Sequence, residues 1–482
     1  MRVSELVTID EINKWEQGDI ITIKAGTGAG KSYFIKNNLH AIAERDGKRI
    51  LMLIHRTNCT KQFLMEIEAA NKTDVIDIRT YQSIEAAKRN RVIYNLDLYD
   101  FIICDEWHYW MGDANFNRQS DLSLNAILNQ TKAIRIFMSA TGDTMKYYLT
   151  DKKHLGLSTV DYELPIDFNF IKHLEFFYKD ETFETYIEQA IKHKRKAIFF
   201  VQSAAKAYAL HEKYKEHSLF NCGKGSNFHQ FVDKEKINKM LLEEKFNELI
   251  LFTTTVMDAG VNIVDDELNH IVIDVNDTGS LIQCIGRKRL KNKNDYIVLH
   301  VKAIGGRQLG GIETRLLSKI KMPLHLFKNG DKSMVGEYFR TNENSEMIYD
   351  ILNEDGNIEK KLNELMFFKV VADVTEIDRI KSLGKYGYCL YLSKLFKLPY
   401  SIYEEEEKKD SLMDYIDSVV GKRLFKENQK ELIERIDLRV DGKQQKSYTK
   451  LNEGLEMIKL PFIIIPKKSG SMRYWLVEKM EI

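Results

Sequence analysis

The eight residues AGTGAGKS at 25–32 constrain this chain more than any other feature. They follow the apolar run IITIK (20–24) and precede a helical pattern that starts near Lys31. Gly26, Gly28 and Gly30 let the backbone curl so that its N–H groups face phosphate oxygens, and the start of a helix adds positive partial charge. Thr27 shares the loop. Lys31 has the reach to meet β- and γ-phosphates, and Ser32 has the hydroxyl to ligate Mg²⁺. Ala25 stands where the phosphate-loop pattern usually has its first glycine. The plain alternative is a glycine-rich turn that carries GKS by chance. A strand before it and a helix after it argue against that, because both are what an anion cradle needs.

A loop of this kind requires a parallel sheet around it, and the flanking sequence supplies one. Apolar runs at 20–24, 50–54, 74–78, 101–104 and 134–138 alternate with amphipathic stretches such as 34–43 and 63–70. The pattern predicts strands buried on both faces between covering helices. It pauses at DYELPID (161–167), where Pro165 predicts a linker. It restarts with strand-like runs at 174–178, 197–201, 248–252, 270–275 and 296–301. Helical texture then dominates 311–434, broken by EEEEKKD (404–410), which reads as a solvated loop or helix face. LPFIII, KKSGS and RYWLV predict a terminal hairpin. The expected fold is α/β: two tandem domains with parallel sheets, at 1–160 and 168–305, and a mostly helical accessory domain at 306–482.

The 482 residues carry 72 Lys and Arg against 71 Asp and Glu, so net charge alone neither argues for nor excludes a polyanionic partner. Five scattered cysteines, without a CxxC pair, give no zinc or iron–sulfur spacing. No signal-peptide core and no run of membrane-spanning length stand out, so a cytoplasmic protein without a membrane partner is expected.

FIICDEWH (101–108) ends an apolar strand in two acids, and the carboxyl end of a parallel strand is where ligands bind in open α/β sheets. Asp105 is the candidate Mg²⁺ ligand. Glu106 is the candidate for orienting and deprotonating an attacking water. His108 reads either as a coupling residue or as a satisfied interface histidine. Trp107 and Trp110 read as packing residues.

In order, AGTGAGKS, HRTN (55–58), TYQS (80–83), DEWH (105–108), SAT (139–141), FFVQS (199–203), TTTVMDAGVNI (253–263) and QCIGRKR (283–289) resemble the motifs of the superfamily-two helicases of the DExH type. The resemblance covers residues 20–302. Each lesser motif alone has a plain reading: HRTN as a turn and cap, TYQS as the cap of SIEAAKRN, SAT as a strand end. Their shared order is what counts. The resemblance implies two RecA-like domains that hydrolyse ATP with Mg²⁺ while holding a strand. It implies Gln283, Arg287 and Arg289 at the γ-phosphate, with Arg287 preferred as the arginine finger. Ser139 and Thr141 would couple the cleft to the strand. Arg56, Thr80, Ser203, Thr254 and Thr255 would touch the phosphate backbone, and Gly260 the nucleotide. The last motif departs from QxxGRxGR: Arg289 comes one place early and Leu290 holds the usual position. Asn262 stands where many members have Asp. No adenine-reading motif precedes the phosphate loop, so loose nucleoside selectivity is expected.

The expected activity is an ATP-dependent helicase on single-stranded or duplex nucleic acid, with DNA placed ahead of RNA and a replication role of phage or mobile-element type. The alternatives are a translocase that does not unwind, a nucleotide-gated nucleic-acid scaffold, and, least favoured, a P-loop kinase. Residues 306–482 carry no nameable motif. They are a candidate dock for a protein partner, and their basic stretch 421–450, with Phe425 and Tyr448, is a candidate strand path or a solvated helix face.

Overall fold

The computed structural model describes every residue except 27, 56, 91, 93, 114–116, 118, 256–261, 293, 339–344, 353–354, 441 and 481–482, with side chains also left out at 57–62, 113 and 352. Its contacts gather into two compact units: Met1–Leu174 with Phe183–Pro399, and Glu175–Thr182 with Tyr400–Ile482.

The larger unit holds two α/β lobes. The strands of the first are β1 (Ile20–Lys24), β2 (Ile50–Ile54), β3 (Ile76–Thr80), β4 (Phe101–Asp105), β5 (Ile134–Ser139) and β6 (Val160–Glu163), in the order β3-β2-β4-β5-β1-β6, all parallel. The ILMLI run of β2 shows why it must be a central strand. Ile50, Met52 and Ile54 enter the core on one face of the sheet, while Leu51 and Leu53 enter the core on the other. Side chains alternate with period two, so a strand covered on both faces needs an unbroken apolar run.

The second lobe is built on β7 (Ile171–Phe177), β8 (Lys196–Val201), β9 (Ser218–Asn221), β10 (Ile250–Thr253), β11 (Leu268–Asp274) and β12 (Ile297–Lys302), ordered β7-β12-β11-β8-β10-β9. Two strands of these two sheets escaped the sequence reading. The predicted linker at 161–167 is partly β6, which pairs with β1 from Ile21↔Val160 to Lys24↔Glu163. As an edge strand it exposes most of its side chains, so VDYE lacks the apolar signal. The short β9 is the other edge, beside β10.

The rest of the larger unit is mainly helical, with one antiparallel hairpin, β13 (Ile348–Leu352) and β14 (Ile358–Leu362). The helix Glu364–Ser382 buries Leu365 and Phe368 in the core of the first lobe.

In the smaller unit, β15 (Ser401–Ile402) pairs in parallel with Glu175 and Phe176. EEEEKKD does not break a helix: it lies inside Tyr403–Val419. Its outer residues are solvated, but Glu404 is buried, because Oε1 accepts the N–H groups of Tyr178 (2.8 Å) and Lys179 (3.0 Å) and the Thr182 hydroxyl (2.9 Å). A sheet of β16 (Arg423–Leu424), β19 (Phe462–Ser469) and β20 (Met472–Lys479), and a two-residue ribbon of β17 (Arg439–Val440) and β18 (Lys443–Gln444), complete this unit. The predicted terminal hairpin is β19–β20.

Candidate functional site

The phosphate loop joins β1 to the helix at Lys31. Gly28 (φ +85°) and Gly30 (φ +86°) take the left-handed backbone that glycine adopts without strain. The Ala25 N–H is bonded to the Ser139 carbonyl (3.1 Å), which ties the loop to the neighbouring β5. Gly26 packs beside Ile166. Lys31 is buried, with Nζ 3.0 Å from the Ala25 carbonyl oxygen and 3.5 Å from Glu106 Oε1. Ser32 stands exposed on the first helical turn.

Asp105 ends β4 and Glu106 follows it, at the strand edge the sequence predicts. Glu106 has φ +50°, an unusual backbone for a residue with a side chain. The Tyr81 hydroxyl donates to the Asp105 carbonyl at 2.9 Å, and the Tyr81 and Tyr109 rings stack at 4.7 Å behind it. Trp107 and Trp110 are buried in this aromatic packing. Burial and the neighbouring Glu106 push the Asp105 carboxyl up to about 7, against the pull of Lys31. Burial acts the same way on Glu106, but Lys31, His108 and Arg287 outweigh it and hold that carboxyl below the usual range. Asp105 Oδ1 is buried and has no hydrogen-bond partner among the described residues. An uncompensated carboxylate oxygen beside an anion cradle is what a divalent cation would relieve, so the donor set fits Mg²⁺ held by Asp105 and Ser32.

A polar relay leads from Glu106 into the second lobe. His108 Nδ1 is 2.8 Å from Ser139 Oγ and 3.2 Å from Glu106 Oε2. The Ser139 hydroxyl also lies 3.3 Å from Glu106 Oε2 and accepts the Thr141 N–H at 3.1 Å. Thr141 Oγ1 is 3.5 Å from Gln283 Nε2, on the helix Thr278–Ile285 of the second lobe. Arg287 is 2% exposed and grips Gln283 twice, Nε to the carbonyl (3.0 Å) and Nη2 to Oε1 (3.1 Å). Arg289 reaches the phosphate loop instead: its Nη1 lies 3.2 Å from where a Cβ on Gly28 would stand. Asn262 Oδ1 accepts the Arg289 Nε–H at 2.7 Å and sets that arginine's direction.

The remaining candidates fall as follows. His108, Thr141, Gln283 and Thr255 line one cleft of about 620 Å³, together with His55 and Gln202. Thr80 and Ser203 cap helices, accepting the N–H groups of Ser83 (3.2 Å) and Lys206 (3.4 Å). Thr254 is half-buried after β10. Thr27, Arg56 and Gly260 lie outside the described residues.

Sequence reasoning missed one wall of this cleft. Lys369, Asp373 and Glu376, on the helix Glu364–Ser382, line it. Lys369 bonds Asp373 and lies 3.5 Å from Asp277, which caps the helix carrying Gln283; the Thr278 hydroxyl donates to Glu376 at 2.8 Å. The only sequence signal was a charged stripe at helical spacing, which a solvated face shows equally well.

A phosphate loop on one parallel lobe, faced by Arg289 of a second, makes this a tandem RecA-like P-loop fold. No family model matches the chain, and no curated protein matches it. Similar solved structures include S. cerevisiae Dbp5 bound to RNA and ADP BeF3 (17% identity, 61% of this chain and 82% of that one, TM-score 0.45). Others are the DEAD-box helicase Mss116 bound to ssRNA and UDP-BeF (14%, 66% and 72%, 0.48) and the Mycobacterium smegmatis helicase Lhr bound to ssDNA and AMP-PNP (13%, 74% and 54%, 0.39). With these TM-scores under 0.5, what the site does has to follow from its own residues.

Proposed function

We propose that this chain is an ATP-hydrolysing nucleic-acid motor of the helicase type, with 1–160 as its ATP-binding domain, 168–305 as the domain that completes the cleft, and 306–482 as an accessory region. One observation carries the reading. Glu106, whose carboxyl Lys31, His108 and Arg287 hold below the usual range, is linked through Ser139 and Thr141 to Gln283 and Arg287 of the other lobe. A nucleotide-binding site that never turned over would not need an ionised carboxylate wired to the opposite lobe.

In this reading Lys31 leaves the Ala25 carbonyl to meet the phosphates, with the loop N–H groups around them. Bound Mg²⁺ would supply charge to the β- and γ-oxygens. Glu106 orients a water and takes its proton as the water oxygen bonds to the γ-phosphorus. The bond to the β-phosphate oxygen breaks, and ADP departs with the electron pair. Arg289 and Gln283 bring charge and hydrogen bonding to the γ-phosphate side when the lobes close. The relay reports the nucleotide state to the cleft lined by Gln202, Thr255 and His55, where a strand backbone would be held by contacts that position without reading sequence. Closing and reopening the lobes once per ATP would step the chain along that strand.

The test is steady-state ATPase of the wild type and Glu106→Gln, each alone and with single-stranded DNA, duplex DNA or RNA. Stimulation by one polymer, lost in Glu106→Gln, is the expected result, and that polymer identifies the strand. ATPase that no polymer stimulates would overturn the motor reading. A strand-displacement assay then separates unwinding from translocation alone.

A further inference from the structure

The helices of the smaller unit pack against one face of the β16-β20-β19 sheet. Phe462, Ile464, Val477 and Leu424 point into that core. The cross-strand register puts the alternate residues on the opposite face. Ile465 stands across from Leu476, Lys467 from Tyr474, and Arg423 from Leu476. On this outer face Ile465, Tyr474 and Leu476 are half-buried, and Arg423 and Lys467 are exposed.

The aromatic and cationic groups here are clustered. The Arg423 guanidinium lies 5.2 Å from the centre of the Tyr474 ring. Phe425, 42% exposed, lies 6.0 Å from the same ring. Arg423 and Lys467 share this face with the pair, and among the described residues neither makes an ion pair. Lys479, at the far end of the hairpin, is by contrast neutralised by Asp417 at 3.7 Å. Glu478 is the single acid in the two long strands, and it too sits at that far end. Exposed cations without an acid partner beside one exposed and one half-buried ring are poor packing material. They suit a ligand that carries both flat faces and negative charge.

We propose that this outer sheet face, around Tyr474, Phe425 and Arg423, binds single-stranded nucleic acid, stacking bases on the rings and holding phosphates on the surrounding cations. Sheet-borne aromatic rings flanked by lysine and arginine give sequence-tolerant affinity, because every base has a π-face and every nucleotide a charge. An acidic peptide would use the cations but leave the rings without a matching partner. The site lies in a different compact unit from the phosphate loop. It extends the motor reading without depending on it.

The experiment is fluorescence anisotropy of labelled oligothymidylate and oligouridylate with the full chain, without nucleotide, over a series of salt concentrations. Tyr474→Ala is expected to weaken binding about tenfold, while Tyr474→Phe keeps it. Lys467→Gln with Arg423→Gln should lower the salt slope by about 1.4, the share of two phosphate contacts on a single strand. Basal ATPase and thermal midpoint should match the wild type in all three. Photocrosslinking with a thio-substituted oligonucleotide should mark a peptide containing Tyr474, and should do so equally in Glu106→Gln, which separates this site from the cleft. Crosslinks confined to residues 20–302, or wild-type affinity in Tyr474→Ala, would overturn the proposal. So would polyglutamate competing as well as the oligonucleotide, which would point to a protein partner.

Discussion

His108 and Ser139 meet at 2.8 Å, Nδ1 to Oγ, across the ends of two adjacent strands. The same hydroxyl touches Glu106 and receives the Thr141 N–H, so one oxygen joins the acid to the loop that faces the second lobe. Ser139→Ala removes that junction and little else, since β5 stays apolar and buried. Strand-stimulated kcat should fall about tenfold, the value of a hydrogen bond to a charged group, with KM for ATP nearly unchanged. Steady-state kinetics with and without the strand check this; unchanged stimulation would remove Ser139 from the relay.

Arg287 and Arg289 should behave differently. Arg287 is buried on Gln283, so Arg287→Ala leaves a polar gap inside the second lobe and should lower both the melting temperature and kcat. Arg289 points at the phosphate loop, and Arg289→Ala should lower kcat about a thousandfold, as loss of an arginine finger does, while the melting temperature holds. This reverses the preference drawn from the motif. Paired ATPase and thermal-melting measurements decide between the two residues.

Gly142 follows SAT, and a Cβ there would fall 2.2 Å from Trp107 Nε1. The indole is buried and cannot swing away. Gly142→Ala should therefore destabilise the first lobe by about 1–3 kcal/mol through overpacking, and Trp107→Leu in the same chain should recover part of it. Chemical denaturation of the single and double variants tests the clash. Additive losses would mean that these two residues do not share it.

His270 lies 3.4 Å from His300, Nδ1 to Nε2. Burial, with His300 and Arg195 nearby, lowers its pKa from 6.5 to about 4. Between those values the unfolded chain binds a proton that the folded chain does not. Stability should thus fall as pH drops from 6.5 towards 4 and stay level above. His270→Phe keeps a ring in place and should flatten that acid limb in melting curves across the window. An unaltered limb would assign it to other groups.

The first lobe was legible because its strands are buried on both faces, and Ile50–Ile54 cannot be apolar throughout for another reason. The edge strand at 160–163 was not, since only one of its sides needs a partner and VDYE looks like a loop. Glu404 shows the same limit: within EEEEKKD nothing separates it from its neighbours, yet it alone turns inward to accept two N–H groups and a hydroxyl. In the site, Lys31, Asp105 and Glu106 could be named because the phosphate loop and the strand-end acids are local patterns. Lys369 and Asp373 could not, because they reach the cleft from a helix more than two hundred residues beyond Glu106 along the chain.

The sequence by itself determined the pieces whose physics is local: the glycine-curled loop, the buried strands, the acids at a strand end and the final hairpin. Each depends on neighbours within a few residues, where spacing dictates geometry. Only the tertiary structure decided which arginine faces the phosphate loop, which carboxyl is pushed up and which is held down, and which helix walls the cleft. Those outcomes depend on burial and on charges brought together from distant segments, and only the packed chain sets such distances.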